Sequence, residues 1–501
     1  MIESSPALSL PPAGRLLAFV RGFGIPETLV VLLLLTILWL PALGVGGEAW
    51  VAVVALLIVF AAVQVVRHPR SLALSPLLLA YVGVYALSGI HGGLRSGSEI
   101  VHYFLRPLVP MVVATVVATA AGRRRILVGL AVLVLLEVPM TIVQTVRNFV
   151  DFGRHASTVA DSVTGALGGS QAGVVTLVAV AVATVVAGAW LTTTVRTRWA
   201  VALVAALVSV GVFSSTRAVP VFVVAAALGI AVVTLASGVS RPSVRRVGAI
   251  AVASLAAAAL AYGGTRAIYP GAYYAMFSSQ ETSVLGGAAA EGIQPPVVAK
   301  STGQKATVRP AAPSAPSTSA PAGPASAPPS KSAPAGPAPP ARPTGVELLP
   351  GRIAQMRLAL RLSLHAPWAV ALLGRGLGAS VLDPGYALAQ DVPEPQRTGS
   401  TWIGALLTET GWLGVAAFAG LLLWLCAIGL RLQRAPAATA VDRSLGAALP
   451  GLAALTAVGA AFTTILDVRA YSLVFWVLIG IALSAVRELP PTAQYQSGPP
   501  R

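Results

Sequence analysis

The stretch "AGVVTLVAVAVATVVAGAWLT" (172–192) is an almost unbroken run of apolar residues without a charged side chain. A membrane-spanning helix needs about 20 consecutive residues of this kind, so the stretch predicts one crossing of a bilayer. Comparable runs recur along the chain, in which 56% of the 501 residues are hydrophobic and only 10% are charged. Because soluble domains carry roughly 25% charged residues, the composition predicts an all-α, multi-pass membrane protein.

The apolar runs predict about twelve transmembrane helices. Their approximate ranges are 26–44, 49–66, 71–90, 101–121, 126–146, 172–192, 199–215, 218–237, 247–263, 403–430, 446–466 and 471–486. The chain then divides into an N-terminal transmembrane bundle (1–263), a long loop (264–402), C-terminal transmembrane helices (403–486) and a tail (487–501).

Basic residues between these runs predict the orientation in the membrane. Alternate loops are rich in arginine, and cytoplasmic loops carry an excess of Lys and Arg. We therefore expect both termini and the tail in the cytoplasm and the 264–402 loop outside. The net charge of +17 then reflects topology and does not indicate a nucleic-acid partner. The arginines concerned are Arg15, Arg21, Arg67, Arg70, Arg123, Arg124, Arg125, Arg196, Arg198, Arg241, Arg245, Arg246, Arg431 and Arg434.

The 264–402 loop is too long to be a simple connection. Its centre, "PAAPSAPSTSAPAGPASAPPSKSAPAGPAPPARP" (310–343), contains little except Pro, Ala and Ser. Such a composition cannot bury a core, so we predict disorder with polyproline II character over 296–345. The next part, 346–380, is predicted to be partly helical and to hold the site, since "GRIAQMRLALRLSLHAPW" (351–368) places apolar residues on one helical face.

The sequence has no nucleotide-binding loop and no paired-histidine zinc site, and its single cysteine, Cys426, excludes an intrachain disulfide. We expect neither a metal nor another cofactor. Six arginines are predicted at the outer side of the membrane instead: Arg106, Arg217, Arg352, Arg357, Arg361 and Arg469. Guanidinium groups suit a fixed site for phosphate or pyrophosphate. For Arg106 and Arg217 the alternative is a side chain that only reaches towards the membrane interface.

Acidic residues in or beside the apolar runs have structural interpretations as well. Glu137 lies inside a predicted span, where we expect a structural hydrogen bond. Asp467 and Arg469 are expected to pair with each other. Glu409 lies close to the start of an apolar run, where a carboxylate is costly unless it has a partner or a function. It either packs against the entering helix or belongs to a site.

Four stretches carry a resemblance to a known family. They are "TGALGGSQAGVVTLVAV" (164–180), "SSTRAVPVFVVAAAL" (214–228), "GRIAQMRLALRLSLHAPWAVALLGRGLG" (351–378) and "STWIGALLTETGWLGVAAF" (400–418). Their order, spacing and common outer face resemble the O-antigen ligase and O-antigen polymerase superfamily of bacterial envelope glycosyltransferases. The resemblance covers these stretches and not the whole chain.

The resemblance implies site residues position by position. The second stretch resembles the Ser-Arg-small turn that holds the family's essential arginine. The third resembles an arginine followed by a proline and a Gly-x-Gly, and the fourth resembles a closing Glu-Thr-Gly-x-x-Gly motif. The matching positions are Arg217, then Arg352, Pro367, Gly376 and Gly378, then Glu409, Thr410, Gly411 and Gly414.

One position departs from the family. Its ligases have a histidine, understood as a base or orienting group for the acceptor, where this chain has Ser400, followed by Thr401. A serine hydroxyl has no useful basicity near pH 7 and cannot take that role unaided. Other candidates for the base lie in the outer loop: His365, Asp383, Asp391 and Glu394.

The reaction that the resemblance implies is a metal-independent, inverting glycosyl transfer in the bacterial inner membrane. The donor is an oligosaccharide on undecaprenyl pyrophosphate, and the product is a cell-surface polysaccharide or a saccharide joined to an acceptor. Arginines neutralise the departing pyrophosphate, with Arg217 and Arg352 ahead of Arg106 and Arg357 as ligands. The expected partners are the lipid-linked donor, membrane lipids and other polysaccharide-assembly proteins.

Three alternatives stay open at this point. A non-catalytic carrier, flippase or assembly partner would keep the lipid site and lose the base. An unrelated transporter would need paired broken helices and internal repeats, and no convincing repeat is visible. A peptidoglycan-type polymerase would share the donor lipid, but no clear match to its acidic outer-loop motif is found. The sugar, the acceptor and the choice between polymerase and ligase are undecided.

Overall fold

A computed structural model describes residues 22–43, 49–69, 75–93, 101–152, 163, 165–167, 172–214, 218–236, 241–268, 356, 359–379, 401–462, 465–466 and 469–490. Nearly all of these residues are helical, and they form no β-strand. Eight helices within this part of the chain are long and apolar enough to cross a membrane. Shorter apolar helices lie at Ile25–Leu38, Pro76–Gly92, Tyr103–Val116 and Thr197–Phe213. The protein is therefore an α-helical polytopic membrane protein.

The helices are numbered here in chain order. They are α1 (Ile25–Leu38), α2 (Ala49–Arg67), α3 (Pro76–Gly92), α4 (Arg106–Val116), α5 (Ala120–Leu135), α6 (Glu137–Phe152), α7 (Ala172–Leu191), α8 (Thr197–Phe213), α9 (Val219–Ala236), α10 (Arg241–Ile268), α11 (Trp368–Leu373), α12 (Trp402–Glu409), α13 (Gly411–Arg434), α14 (Ala440–Phe462) and α15 (Arg469–Arg487). A π-helical turn at Val101–Leu105 precedes α4, and 3-10 turns lie at Leu40–Leu43 and Gly165–Leu167.

The predicted spans 101–121 and 126–146 differ most from the observed helices. The first ends at Val116, because the hydroxyl of Thr119 caps the next helix by accepting the Gly122 N–H at 3.0 Å. Arg123 and its two neighbours were predicted to lie in a loop, which is wrong, since they belong to the first turns of α5. The helix α10 also extends the predicted 247–263 span at both ends.

The N-terminal and C-terminal helices pack together in one unit, and α7 and α14 cross at small residues. A Cβ added to Gly188 of α7 would lie 2.4 Å from the carbonyl oxygen of Ser444. A Cβ on Gly229 of α9 would lie 2.3 Å from the carbonyl oxygen of Pro450. Glycine at these crossings lets backbones approach closely, which is how helices associate where the surroundings are as apolar as the side chains.

One end of the bundle gathers arginines and is called the basic end. At α5, the Arg123 guanidinium binds Asp442 at the start of α14. Arg246 donates to the Leu191 carbonyl at 2.9 Å, and Arg434 donates to the Ala236 carbonyl at 2.7 Å. These contacts join the ends of α7, α9, α13 and the beginnings of α5, α10, α14. Arg123, Arg246 and Arg434, which belong to alternate predicted connections, thus lie at one end of the bundle.

Candidate functional site

The stretch 401–414 lies at the end of the bundle opposite the basic end and forms a broken helix. The Thr401 hydroxyl caps α12 by accepting the Gly404 N–H at 3.1 Å. The helix α12 stops at Glu409, and α13 begins at Gly411, whose φ is +63°. The predicted span 403–430 therefore enters the bundle as two helices with a backbone kink at Thr410.

The segment that follows α11 crosses this kink. The Arg375 N–H donates to the Thr408 carbonyl at 2.9 Å, and the Gly376 N–H donates to the Glu409 carbonyl at 3.2 Å. The third and fourth stretches singled out in the sequence, 351–378 and 400–418, are thus joined by backbone hydrogen bonds. The structure brings together two motifs that are separated by residues 379–399 in the chain.

The contact depends on glycines from three parts of the chain, Gly92, Gly374, Gly376 and Gly411, called here the glycine crossing. A Cβ on Gly374 would lie 2.1 Å from the Glu409 carbonyl oxygen, and one on Gly92 would lie 2.3 Å from the Gly376 nitrogen. Real Cβ atoms do not approach other atoms so closely. Gly374 and Gly376 also have φ of +77° and +99°, a backbone region that glycine adopts without steric cost.

Glu409 is buried beneath the glycine crossing with only 2% of its surface exposed. The Tyr103 hydroxyl donates to its Oε2, and the Ser88 hydroxyl donates to its backbone carbonyl. The ring of Tyr103 stacks on that of Tyr85, with centroids 5.0 Å apart. Glu409 therefore connects α12 to α3 and to the turn before α4, and its membership of a functional site stays a prediction.

Arg375 lies between two glycines of the crossing, and its side chain is half-buried. Within the described part of the chain, no hydrogen bond or ion pair involves its guanidinium. Partial burial lowers the pKa of the Arg375 guanidinium, and no neighbouring charge contributes to that shift. Arg375 is not among the site residues predicted from the sequence, because the resemblance at "GRGLG" (374–378) rests only on the glycines. The position of this arginine between closely spaced glycines was the feature of the sequence that could have indicated it as a site residue.

Arg106 is the first residue of α4, and it is buried at the same end as Glu409. Its Nη1 donates to the Leu466 carbonyl at 3.3 Å, and its Cζ lies 5.8 Å from the centre of the Trp50 ring. These contacts hold the guanidinium between α2, α4 and the turn between α14 and α15. Its proposed role as a pyrophosphate ligand stays a prediction.

Most of the other predicted site residues lie outside the described residues. His365 is described: it is exposed after the helical residues 359–364, with Nδ1 2.8 Å from the Arg361 carbonyl oxygen. Thr401 is described as the cap of α12. The residues outside the described ranges are Arg217, Arg352, Arg357, Asp383, Asp391, Glu394, Ser400 and Asp467.

The first and second stretches also meet, through side chains. The Thr176 and Ser214 hydroxyls, from 164–180 and 214–228, are 2.8 Å apart. The Ala166 N–H donates to Glu137 Oε2 at 2.8 Å, and the Gln144 amide exchanges two hydrogen bonds of 2.8 Å with the backbone of Gly165. The structural hydrogen bond expected for Glu137 is confirmed.

Among the described residues, no group of three or more His, Cys, Asp or Glu side chains could hold a metal ion. Comparison with known proteins adds no relative: no family model matches the chain, and no curated protein matches it.

Proposed function

We propose that the protein is a glycosyltransferase of the bacterial inner membrane that uses a polyprenyl-pyrophosphate-linked oligosaccharide as donor. It joins such oligosaccharides into a polysaccharide or transfers them to an acceptor, without a metal. We place it with the O-antigen ligase and polymerase superfamily as a proposal. We also propose that it crosses the membrane about twelve times with both termini in the cytoplasm, since the shorter apolar helices coincide with predicted spans.

The observation that supports this function best is the backbone contact between the third and fourth stretches. Two motifs chosen from the sequence alone meet at Gly376 and Glu409, at the end of the bundle opposite the basic end. Arg106 is buried at this same end. A donor lipid in the outer leaflet would present its pyrophosphate at this level. The charge that develops in the reaction lies on that leaving group, so preorganised cations are the effective catalytic device.

The second candidate is a non-catalytic protein that binds or moves the same lipid-linked saccharide. One observation favours it: Ser400 stands where the family's ligases have the histidine. In the glycosyltransferase proposal the base comes from His365, Asp383, Asp391 or Glu394. In the carrier or flippase proposal no base is needed, and lipid binding is retained without sugar transfer.

The deciding experiment measures surface polysaccharide in a strain that lacks the protein and is complemented with variants. We expect Arg217→Ala and Arg352→Ala each to lower polysaccharide assembly roughly a hundred-fold or more while the protein still inserts. The control is Arg147→Ala, because Arg147 is exposed and already paired with Asp151 at 3.5 Å. Ser400→Ala should be much milder.

Transfer by the purified protein separates the two candidates. Incubation with a lipid-linked oligosaccharide should give longer or transferred glycans that disappear in the Arg217→Ala variant. Wild-type polysaccharide from both arginine variants would rule out a pyrophosphate site at these residues. Donor binding without any transfer would favour the carrier.

A further inference from the structure

Among the described residues, no carboxylate pairs with the guanidinium of Arg375, which is held at a rigid position. Two other arginines show the contrast: Arg123 binds two carboxylates, from Asp442 and Glu488, and Arg147 binds that of Asp151. No ion pair formed by the described residues includes Arg375. Removing a cation from water without a partner is costly, so a half-buried arginine of this kind favours an anionic ligand.

The backbone around Arg375 fixes the position of its Cα and so restricts where its guanidinium can lie. Its N–H is bound to the Thr408 carbonyl, and the glycines on both sides are pressed against Glu409 and Gly92. Neither neighbour can take a larger side chain, so the Cα of Arg375 is held in one place. Binding groups that are preorganised in this way lose little entropy when a ligand binds.

Glu409, whose carbonyl accepts from the residue after Arg375, forms no ion pair with the Arg375 guanidinium. Glu409 directs Oε2 to the hydroxyl of Tyr103, and its carbonyl accepts from Gly376 and Ser88. The backbone and the side chain of Glu409 are thus both engaged in hydrogen bonds within the bundle. The guanidinium remains available to a ligand at the end of the bundle opposite the basic end.

We propose that Arg375 binds a phosphate group at the membrane surface. An arginine fork matches phosphate oxygens with two parallel hydrogen bonds, which a lysine cannot do. Two sources supply this chemistry there: the pyrophosphate of a polyprenyl donor and the headgroup of an anionic phospholipid. The first source rests on the proposed function, and the second does not.

The experiment uses the full-length protein in two kinds of nanodisc. One contains phosphatidylcholine with undecaprenyl pyrophosphate titrated in, and the other contains phosphatidylglycerol titrated into phosphatidylcholine. Lipid binding is measured by native mass spectrometry for the wild type and for Arg375→Ala, Arg375→Lys and Arg147→Ala. The unfolding temperature of each variant in detergent verifies that it is folded.

We expect Arg375→Ala to weaken binding of at least one of the two lipids by about ten-fold to a hundred-fold. Arg375→Lys should bind at an intermediate level, because it keeps the charge and loses the fork. Arg147→Ala should bind like the wild type. Where Arg375→Ala proves unfolded, Arg375→Lys gives the decision by itself.

The outcomes separate this proposal from the proposed function. A loss confined to undecaprenyl pyrophosphate identifies the donor as the source, and a loss confined to phosphatidylglycerol identifies the bilayer. Wild-type binding of both lipids by a folded Arg375 variant would overturn the proposal. A wild-type protein that binds no undecaprenyl pyrophosphate would contradict the proposed function, and the phosphatidylglycerol titration would then decide for Arg375.

Discussion

Arg123 and Asp442 form a two-pronged ion pair that is buried inside the bundle, with Nε–Oδ1 and Nη2–Oδ2 distances of 2.8 and 3.1 Å. The same guanidinium reaches Glu488 Oε2 at 2.8 Å and Ser484 Oγ at 3.2 Å. One side chain at the start of α5 therefore connects the beginning of α14 and the end of α15. From the sequence alone, Arg123 is expected to be one charge of a cytoplasmic loop.

Arg123→Ala should strongly destabilise the protein, by about 3–5 kcal/mol, because it leaves the Asp442 carboxylate buried without its cation. The measurement is the unfolding temperature in detergent by fluorescence-detected size exclusion. The matched control is Arg124→Ala, since the neighbouring Arg124 is exposed. The double variant Arg123→Met with Asp442→Leu should recover much of the loss, and equal stability of the Arg123 and Arg124 variants would contradict the ion-pair argument.

Gly374→Ala and Gly376→Ala should each disrupt the glycine crossing. Both positions have positive φ, and the new Cβ would collide with backbone atoms of Glu409 or Gly92. Backbone strain of this kind costs about 1–3 kcal/mol before the collision is counted. The control is Gly420→Ala in α13, where nothing lies within 4 Å of the added atom. The unfolding temperature and the amount of polysaccharide assembled should both fall for Gly374→Ala and Gly376→Ala, and neither should fall for Gly420→Ala.

A double-mutant cycle on Tyr103 and Glu409 should show strong coupling. Tyr103→Phe leaves a buried carboxylate oxygen without its donor, which typically costs about 1–3 kcal/mol. In a Glu409→Leu background the same change should cost much less, because the acceptor is already absent. Additive changes in the unfolding free energy would show that the hydrogen bond between these residues does not stabilise the fold.

Glu137→Leu should loosen the turn at Gly165–Leu167, and Glu137→Gln should not. The carboxylate accepts the Ala166 N–H, an acceptor function that the glutamine carbonyl retains and leucine lacks. Proteolysis at 153–171 in intact cells gives the readout, with faster cleavage expected for the leucine variant. Identical cleavage of the two variants would mean that Glu137 does not hold this turn.

Cysteine labelling should reveal the orientation. In a Cys426→Ala background, Arg361→Cys should react with an impermeant maleimide in intact cells, and Arg443→Cys only after the membrane is opened. Both arginines are exposed, and Arg443 lies at the basic end. The expectation follows from the excess of arginine in cytoplasmic connections. The reverse pattern would invert the topology.

Much of the helical architecture could be predicted because apolar runs report directly on burial in lipid. The run 172–192 became α7 almost to the residue. The ends of helices were predicted less well, because caps decide them: Thr119 starts α5 inside the predicted span 101–121, and Ser75 with Pro76 starts α3 later than its apolar run suggests. A single Ser or Thr whose hydroxyl accepts one backbone N–H hardly changes the mean hydropathy of an apolar run, so the cap does not show in the hydropathy pattern.

The candidate site was only partly predictable. The motifs at 351–378 and 400–418 could be chosen from the sequence, but their contact depends on which backbones approach each other. Gly92 had no special status in the sequence, although it completes the crossing. Arg375 could not be chosen for a related reason: its importance comes from partial burial without an ion-pair partner among the described residues, which is a property of the fold and not of a pattern.

The glycine crossing also has a consequence for how this protein can diversify. The crossing is specified by main-chain atoms and by the absence of side chains at Gly374 and Gly376, whereas the side chain between them takes no part in it. The side chain at position 375 can therefore be replaced by one of different charge or polarity while the glycine crossing stays intact. In related chains that share the glycine crossing, we expect the residue at position 375 to vary with the ligand, while the glycines on either side stay the same.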